Sequence, residues 1–310
     1  MSRSGLALLC AGAWLASALA PCAQAQLWTW TKDQMLEYTP GWQGARFEDG
    51  RPKVPDQWLD RAKGMSMEEI MIRGGSGQRF GRFNPYSQYD GDFKVLHPNV
   101  KMAGRAVTMA FMPARADLDA VVREKAKAKG IGNLNNQYVI DMVRPGDVLV
   151  VDLYGKKEGG TIVGDNLFYY LMKATHNGGL VVDGSFRDLD GIMSMGMPFY
   201  YRSAHPSPIS GVTLAAVNVP IRIGNVTVMP GDMVVGDAEG VSFIPPQDAE
   251  AILDRSDEIH VHDEWTRKKF DEGKYKSSDI YGSPKDPALK QEYQEYLKKR
   301  LAEIRAARNK

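Results

Sequence analysis

Two short stretches of this 310-residue chain hold residue types that could do chemistry. The first is Gly159-Gly160-Thr161-Ile162-Val163-Gly164-Asp165-Asn166-Leu167, a glycine-rich run leading into a helical pattern. A helix N-terminus presents backbone N–H groups without intrahelical acceptors and the positive end of the helix dipole, a setting for a carboxylate or phosphate. Glycines let the backbone approach a ligand closely. The same residues also fit a plain helix start in which Asp165 serves only as a cap. The second stretch is Val182-Asp183-Gly184-Ser185-Phe186-Arg187-Asp188, expected as a loop just past a buried strand, where open α/β sheets place ligands. Arg187 offers a planar fork for two oxygens. Asp188 offers a hard oxygen to Mg²⁺ or Mn²⁺. An adjacent Arg-Asp pair is equally consistent with a structural salt bridge or turn cap.

The elements that must position these residues can be read from periodicity. Ala106 to Phe111 and Val148 to Val151 are apolar enough for buried strands, and Pro145-Gly146-Asp147 is a turn before the second. Asp117 to Lys129 has Leu118, Val121, Val122 and Ala126 at helical spacing, and Asp165 to His176 is a second helix. Gly179 to Val182 is another buried strand. Short β segments follow at 199–201, 212–217, 219–223, 226–229, 233–235 and 241–244, divided by turn signals such as Gly224-Asn225 and Pro230-Gly231-Asp232. A long helix runs from Gln247 to about Phe270. Upstream, Val54-Pro55-Asp56 starts a helix, Ser66 with Glu69 forms a capping box, and Gly74 to Tyr89 is loop. The order mixes βαβ units with a β-rich second half, so the class is α/β with a barrel-like or swivelling sheet.

The expected organisation has four parts: a signal peptide at 1–25, an extension at 26–100 wrapped on the core, a core domain at 101–272, and a helical tail at 273–310. Arg3, the apolar run from Gly5 to Ala20 and Ala23-Gln24-Ala25 make the export signal, with Gln26 as the new N-terminus and a periplasmic or secreted destination. Both cysteines, Cys10 and Cys22, lie in that signal, so the processed chain would lack thiolate chemistry and disulfides. The net charge of +1 includes Arg3, leaving the remainder near neutral and without the basic footprint of a nucleic-acid binder. No segment after the signal is apolar enough to stay in a membrane. In the tail, Leu289, Tyr293, Leu297, Leu301 and Ile304 form a helical stripe suited to docking on the same or a neighbouring subunit. His97, His176, His205, His260 and His262 show no shared ligand spacing. His260 and His262 would face apart on a helix, and His205 stands in a loop that could line the pocket.

The ordered series Gly146 to Asp152, Gly164 to Leu167, Val182 to Asp188, Val228 to Asp232, Asp237 to Val241 and Ile244-Pro245 resembles one family. That family joins 4-hydroxy-4-methyl-2-oxoglutarate and 4-carboxy-4-hydroxy-2-oxoadipate aldolases to the regulator of ribonuclease E activity. Its members are also described as demethylmenaquinone methyltransferase-like. The resemblance covers roughly residues 101 to 253. It implies a swivelling β/β/α domain assembled as a homotrimer or homohexamer, and a magnesium- or manganese-dependent lyase acting on a 2-oxo acid through a pyruvate-like enolate. It also implies site roles. Gly164, Asp165, Asn166 and Leu167 would bind the substrate carboxylate, Arg187 would stabilise the enolate, Asp188 would ligate the metal, and Asp165 would orient its water. A non-catalytic regulator on the same scaffold is the rival reading. Two departures stand out. Asp165 and Arg187 are one residue further apart than in the family's aldolases, with the extra residue expected in the Thr175-His176-Asn177-Gly178 turn. Phe168-Tyr169-Tyr170 also replaces smaller residues, so the substrate need not be the same.

Overall fold

The computed structural model describes residues 29–71, 88–131 and 135–308. The expected signal peptide, both cysteines and most of the loop expected at 74–89 lie outside the described residues. The described chain starts with helices α1 (Lys32–Tyr38), α2 (Asp56–Lys63) and α3 (Met67–Met71), then short strands β1 (Tyr89–Asp90) and β2 (Lys94–Val95). The central part is β3 (Met102–Pro113), α4 (Ala116–Ala128), α5 (Asn136–Ile140), β4 (Asp147–Asp152), α6 (Asp165–Thr175), β5 (Gly179–Phe186), α7 (Leu189–Met193) and β6 (Phe199–Ala204). It is followed by β7 (Val212–Val217), the hairpin β8 (Ile221–Ile223) and β9 (Val226–Val228), β10 (Met233–Asp237) and β11 (Gly240–Ile244). Helices α8 (Pro246–Asp271), α9 (Ser277–Ile280) and α10 (Pro287–Arg308) close the chain.

The class is mixed α/β, as expected. Strands β3, β4, β5 and β6 are mutually parallel, with Val107 opposite Leu149 and Leu149 opposite Leu180. Strands buried on both faces must be apolar throughout, and alternation then assigns each side chain to a layer. Leu149, Val151, Leu180 and Val182 point to the layer holding Phe168 and Leu171 of α6. Val148, Val150 and Val181 point to the other, which the β8–β9 hairpin covers with Ile221, Ile223, Val226 and Val228. The hydrogen-bonded path runs β1-β11-β10-β3-β4-β5-β6-β2. Its two end strands do not pair among the described residues, so the curvature expected to be barrel-like does not reach closure. One edge of β3 is shared: its first half pairs with β10 and its second half with β7.

The segment ahead of the core supplies more than a wrapping. Strands β1 and β2 extend the sheet at both ends, pairing with β11 and β6. Helices α2 and α3 pack with Met233 and Val235 of β10 and with Ala249, Ile252 and Leu253 of α8. The Ser66–Glu69 capping box is formed, the Ser66 N–H donating to Glu69 Oε2 (2.7 Å) and the Glu69 N–H to Ser66 Oγ (3.2 Å). Arg51 is buried and grips Asp147 with both terminal nitrogens, at 2.8 and 3.0 Å. The two Pro-Gly-Asp turns are built alike. Gly146 and Gly231 both have positive φ, and each Asp accepts the N–H of the residue three before it, Arg144 for Asp147 and Met229 for Asp232.

The tail docks on its own chain. Helix α10 lies on α8, with Leu289, Tyr293 and Tyr296 around the buried Trp265. Arg300 pairs with Glu264, and Arg308 makes a bidentate contact with buried Asp257, which also binds Arg61 of α2. The rest of the stripe, Leu297, Leu301 and Ile304, is only half-buried. His260 bonds to Glu69 while His262 lies edge-on to Tyr293, so the two do point to different partners. No described helix is long and apolar enough to cross a membrane.

Candidate functional site

Strand β5 runs further than expected. Asp183 to Phe186 belong to the strand and are buried, because the segment before α6 adds to the sheet beside it: Thr161 bridges to Ser185, and the Ile162 N–H donates to the Ser185 carbonyl. The loop expected from Val182 is thereby reduced to Arg187 and Asp188. The Arg187 N–H donates to the Val163 carbonyl at 3.1 Å, which lays the end of β5 against the start of α6. Asp188 takes a left-handed conformation (φ 61°), a region Asp tolerates better than bulkier residues. It turns the chain at once into α7, whose Ile192 N–H returns to the Asp188 carbonyl.

Asp165, Arg187 and Asp188 are thus brought together within one chain. The Asp165 N–H points at Asp188 Oδ2 at 3.4 Å, and Arg187 Nε lies 3.4 Å from the same oxygen. These contacts are long, and the Arg187 and Asp188 side chains are about two-fifths exposed. Gly164 is what permits the approach: a Cβ there would stand 2.3 Å from Asp188 Oδ2 and 3.0 Å from Arg187 Nε. Gly191 of α7 plays a similar part, since its Cβ would meet Asp165 Oδ2 at 3.3 Å.

The first turn of α6 is partly self-satisfied. Gly164 is the N-cap, and Asp165, one position inside the helix, accepts the Asn166 N–H at 2.7 Å. The N-cap is therefore Gly164 and not Asp165, whose side chain only accepts its neighbour's N–H, and the two loops converge. Leu167 contributes the remaining first-turn N–H, so a carboxylate ligand would compete with the Asp165 side chain for Asn166. The expected turn after α6 is formed by two successive left-handed residues, His176 and Asn177. Tyr169 and Tyr170 of α6 are exposed, and so are Leu189 and Met193 of α7.

Among the described residues no three His, Cys, Asp or Glu side chains gather as a ready-made cation cage. The donor set instead holds two carboxylates, Asp165 and Asp188, against one guanidinium. Hard oxygen donors with an excess of negative charge fit Mg²⁺ or Mn²⁺, which keep several waters and need few protein ligands. Helix α7 and its Gly191 were not foreseen. A five-residue helix carries too little periodicity to be seen, although glycine three residues beyond an Arg-Asp pair is a signal for close approach. His205 is tied to the site strand through its backbone N–H, which donates to the Phe186 carbonyl, while its ring bonds to Ser207 Oγ at 2.8 Å.

A parallel-centred α/β sheet with a helix start facing an Arg-Asp turn defines the class of fold to which this chain belongs. The family model described as "RraA-like: Aldolase/RraA" matches residues 59–242, more than half of the chain. The chain belongs to that family, and the match takes in the second half of α2 and all of α3 as well as the core. A Halalkalibacterium halodurans protein named for 4-hydroxy-4-methyl-2-oxoglutarate aldolase is 34% identical over 39% of this chain and 56% of its own length. Protein DlpA of Legionella pneumophila is 29% identical over 55% of this chain and 26% of its own. The chain thus spans less than two thirds of each of these relatives. Among solved structures, Streptomyces coelicolor RraAS2, described as an unusual member of the RNase ES inhibitor RraA protein family, superposes with TM-score 0.57. It is 27% identical, covering 71% of this chain and all of the other. An uncharacterised Pseudomonas syringae protein, 21% identical, shares the fold with TM-score 0.54 over 76% of this chain and 96% of its own.

Proposed function

We propose that this chain is a divalent-metal-dependent carbon–carbon lyase, an aldolase or decarboxylase acting on a 2-oxo acid. The observation that carries this reading is the meeting of Asp165, Arg187 and Asp188 at the start of α6, in contacts long enough to leave their polar atoms available. Asp188, with waters, would hold Mg²⁺ or Mn²⁺, which supplies Lewis-acid polarisation of the 2-oxo group when bound. Arg187 would offer its guanidinium N–H groups to the oxygen on which negative charge develops as the carbon–carbon bond breaks. The first-turn N–H groups of Asn166 and Leu167, with Gly164 allowing close approach, would take the substrate carboxylate. Asp165 would orient a water beside Asp188. Names of relatives support the same chemistry.

A second reading, a non-catalytic regulator, is favoured by the Streptomyces neighbour, which this chain matches over its whole length. One experiment separates the two. The full chain is assayed for pyruvate release from a set of 2-oxo acids with Mg²⁺, with Mn²⁺ and after chelation. Metal-dependent release that Asp188→Asn abolishes supports the lyase. No release from any of them, or release unaffected by chelation, removes the lyase reading.

Export and assembly are parts of the same proposal. Arg3, the apolar run and Ala23-Gln24-Ala25 support cleavage after Ala25, and N-terminal sequencing of periplasmic material should begin at Gln26. The half-buried Leu297, Leu301 and Ile304 support a homotrimer or homohexamer, which light scattering would measure.

A further inference from the structure

Toward the N-terminal end of β4, away from the Arg187 turn, a cavity of about 400 Å³ lies between the N-terminal segment and the core. Its floor includes Asn218, a buried residue in the left-handed region (φ 49°) at the point where the edge of β3 passes from β10 to β7. The Asn218 backbone N–H donates to the Thr108 carbonyl (2.9 Å), and its Oδ1 accepts the Thr108 N–H (3.4 Å). That leaves Nδ2 beside the cavity with no protein acceptor among the described residues. Nδ2 is reached by solvent, so it is free to donate to an acceptor that enters the cavity.

The charges around it do not cancel. Arg51 is matched in charge by Asp147 through its terminal nitrogens, while its buried Nε has no partner among the described residues. Arg144 faces the cavity with no carboxylate partner among the described residues and lies 5.3 Å from the Phe47 ring centroid. Glu48 and Asp141 line the cavity without a cation, and Asp49 spends one oxygen on the Arg51 N–H. A simple anion entering here meets three carboxylates, and a simple cation meets Arg144. A molecule bearing both signs matches each, and Val107, Met142 and Val143 supply an apolar wall.

We propose that this cavity binds a small zwitterion of the α-amino-acid class. Its carboxylate lies toward Arg144 and the Asn218 amide, its ammonium toward Glu48 and Asp141. The site is separate from the Arg187–Asp188 turn and does not depend on the lyase reading.

Titration calorimetry on the full chain tests it. The probes are a panel of free amino acids, with leucine compared against 3-methylbutylamine and 4-methylpentanoate, which carry one charged group each. At least one amino acid should give saturable heat. Arg144→Gln and Glu48→Gln, both exposed positions whose variants should keep the parent's unfolding curve, should each weaken it about tenfold or more, the scale of one charge-assisted contact. Asp188→Asn should bind as the parent does, which separates this cavity from the other site. No saturable heat at millimolar concentrations overturns the proposal, as does unchanged affinity in both rim variants. An amine or carboxylate analogue binding as tightly as leucine overturns the zwitterion assignment.

Discussion

Two Arg–Asp pairs sit at opposite ends of the parallel strands and are built in opposite ways. Arg51 and Asp147, at the start of β4, are sealed from solvent, bidentate, and further tied to the Ala106 carbonyl and the Arg144 N–H. Arg187 and Asp188, past the end of β5, touch at 3.4 Å through one nitrogen and stay well exposed. The first pair spends both guanidinium terminal nitrogens and both carboxylate oxygens inside the fold, and only the buried Arg51 Nε is left without a partner among the described residues. The second keeps its lone pairs and N–H groups, on a left-handed turn beside a helix N-terminus. Chemistry of the same two residue types serves the fold where it is sealed away and can serve a ligand where it is open.

Breaking the buried pair should give the largest stability effect. Asp147→Ala leaves the Arg51 charge buried alone, and an uncompensated charge of this kind costs about 3–5 kcal/mol. Denaturant unfolding would measure it. A loss under about 1 kcal/mol would mean that the pair is not sealed as described.

The exposed pair should respond the other way. Asp188→Asn should leave the unfolding free energy within about 0.5 kcal/mol of the parent, since it removes only long, exposed contacts. On the lyase reading it should lower turnover by about 10²–10³, the scale of one preorganised electrostatic contact. Arg187→Lys should lower turnover while leaving metal affinity near the parent's, because the charge stays and the fork is lost. Stability falling with activity in both variants would erase the contrast between the two pairs.

The tail offers an intermediate case. Arg308 is about a third exposed on buried Asp257, so Arg308→Ala should cost about 1 kcal/mol or less. Arg61 still neutralises Asp257 in that variant.

The second Pro-Gly-Asp turn sharpens the comparison through pH. Asp232 is buried like Asp147 but has no cation beside it among the described residues, and burial pushes its carboxyl up to about 7 from 3.8. The folded state therefore holds a proton that the unfolded state releases at lower pH. That contribution to stability is full below pH 3.8 and declines as pH rises toward 7. Asp232→Asn removes the titration, so its stability relative to the parent should climb across that window, whatever the constant offset. Unfolding at several pH values would show it, and a flat difference would mean that Asp232 is ionised throughout.

Much of the scaffold was legible because its signals are local. The Val148–Val151 run, the helix from Asp165, the Pro-Gly-Asp turns and the Ser66–Glu69 capping box each depend on residues within a few positions of one another. The order of Gly164-Asp165 and Arg187-Asp188 along the chain also pointed to a single site. The sequence by itself thus determined the apolar strands, the helix starts and the types of residue available for chemistry. Tertiary structure alone decided which Arg–Asp pair would be sealed in the fold, because Arg51 reaches Asp147 across 96 positions and nothing in either neighbourhood announces the partner. It also decided that β5 would run on to Phe186, since that backbone is satisfied by β6 on one side and by the Thr161–Ser185 bridge on the other, and that α7 would set Gly191 against Asp165. Periodicity reports which face of an element is buried; what lies on the other side of that face is fixed only when distant segments pack and their buried polar groups must find partners.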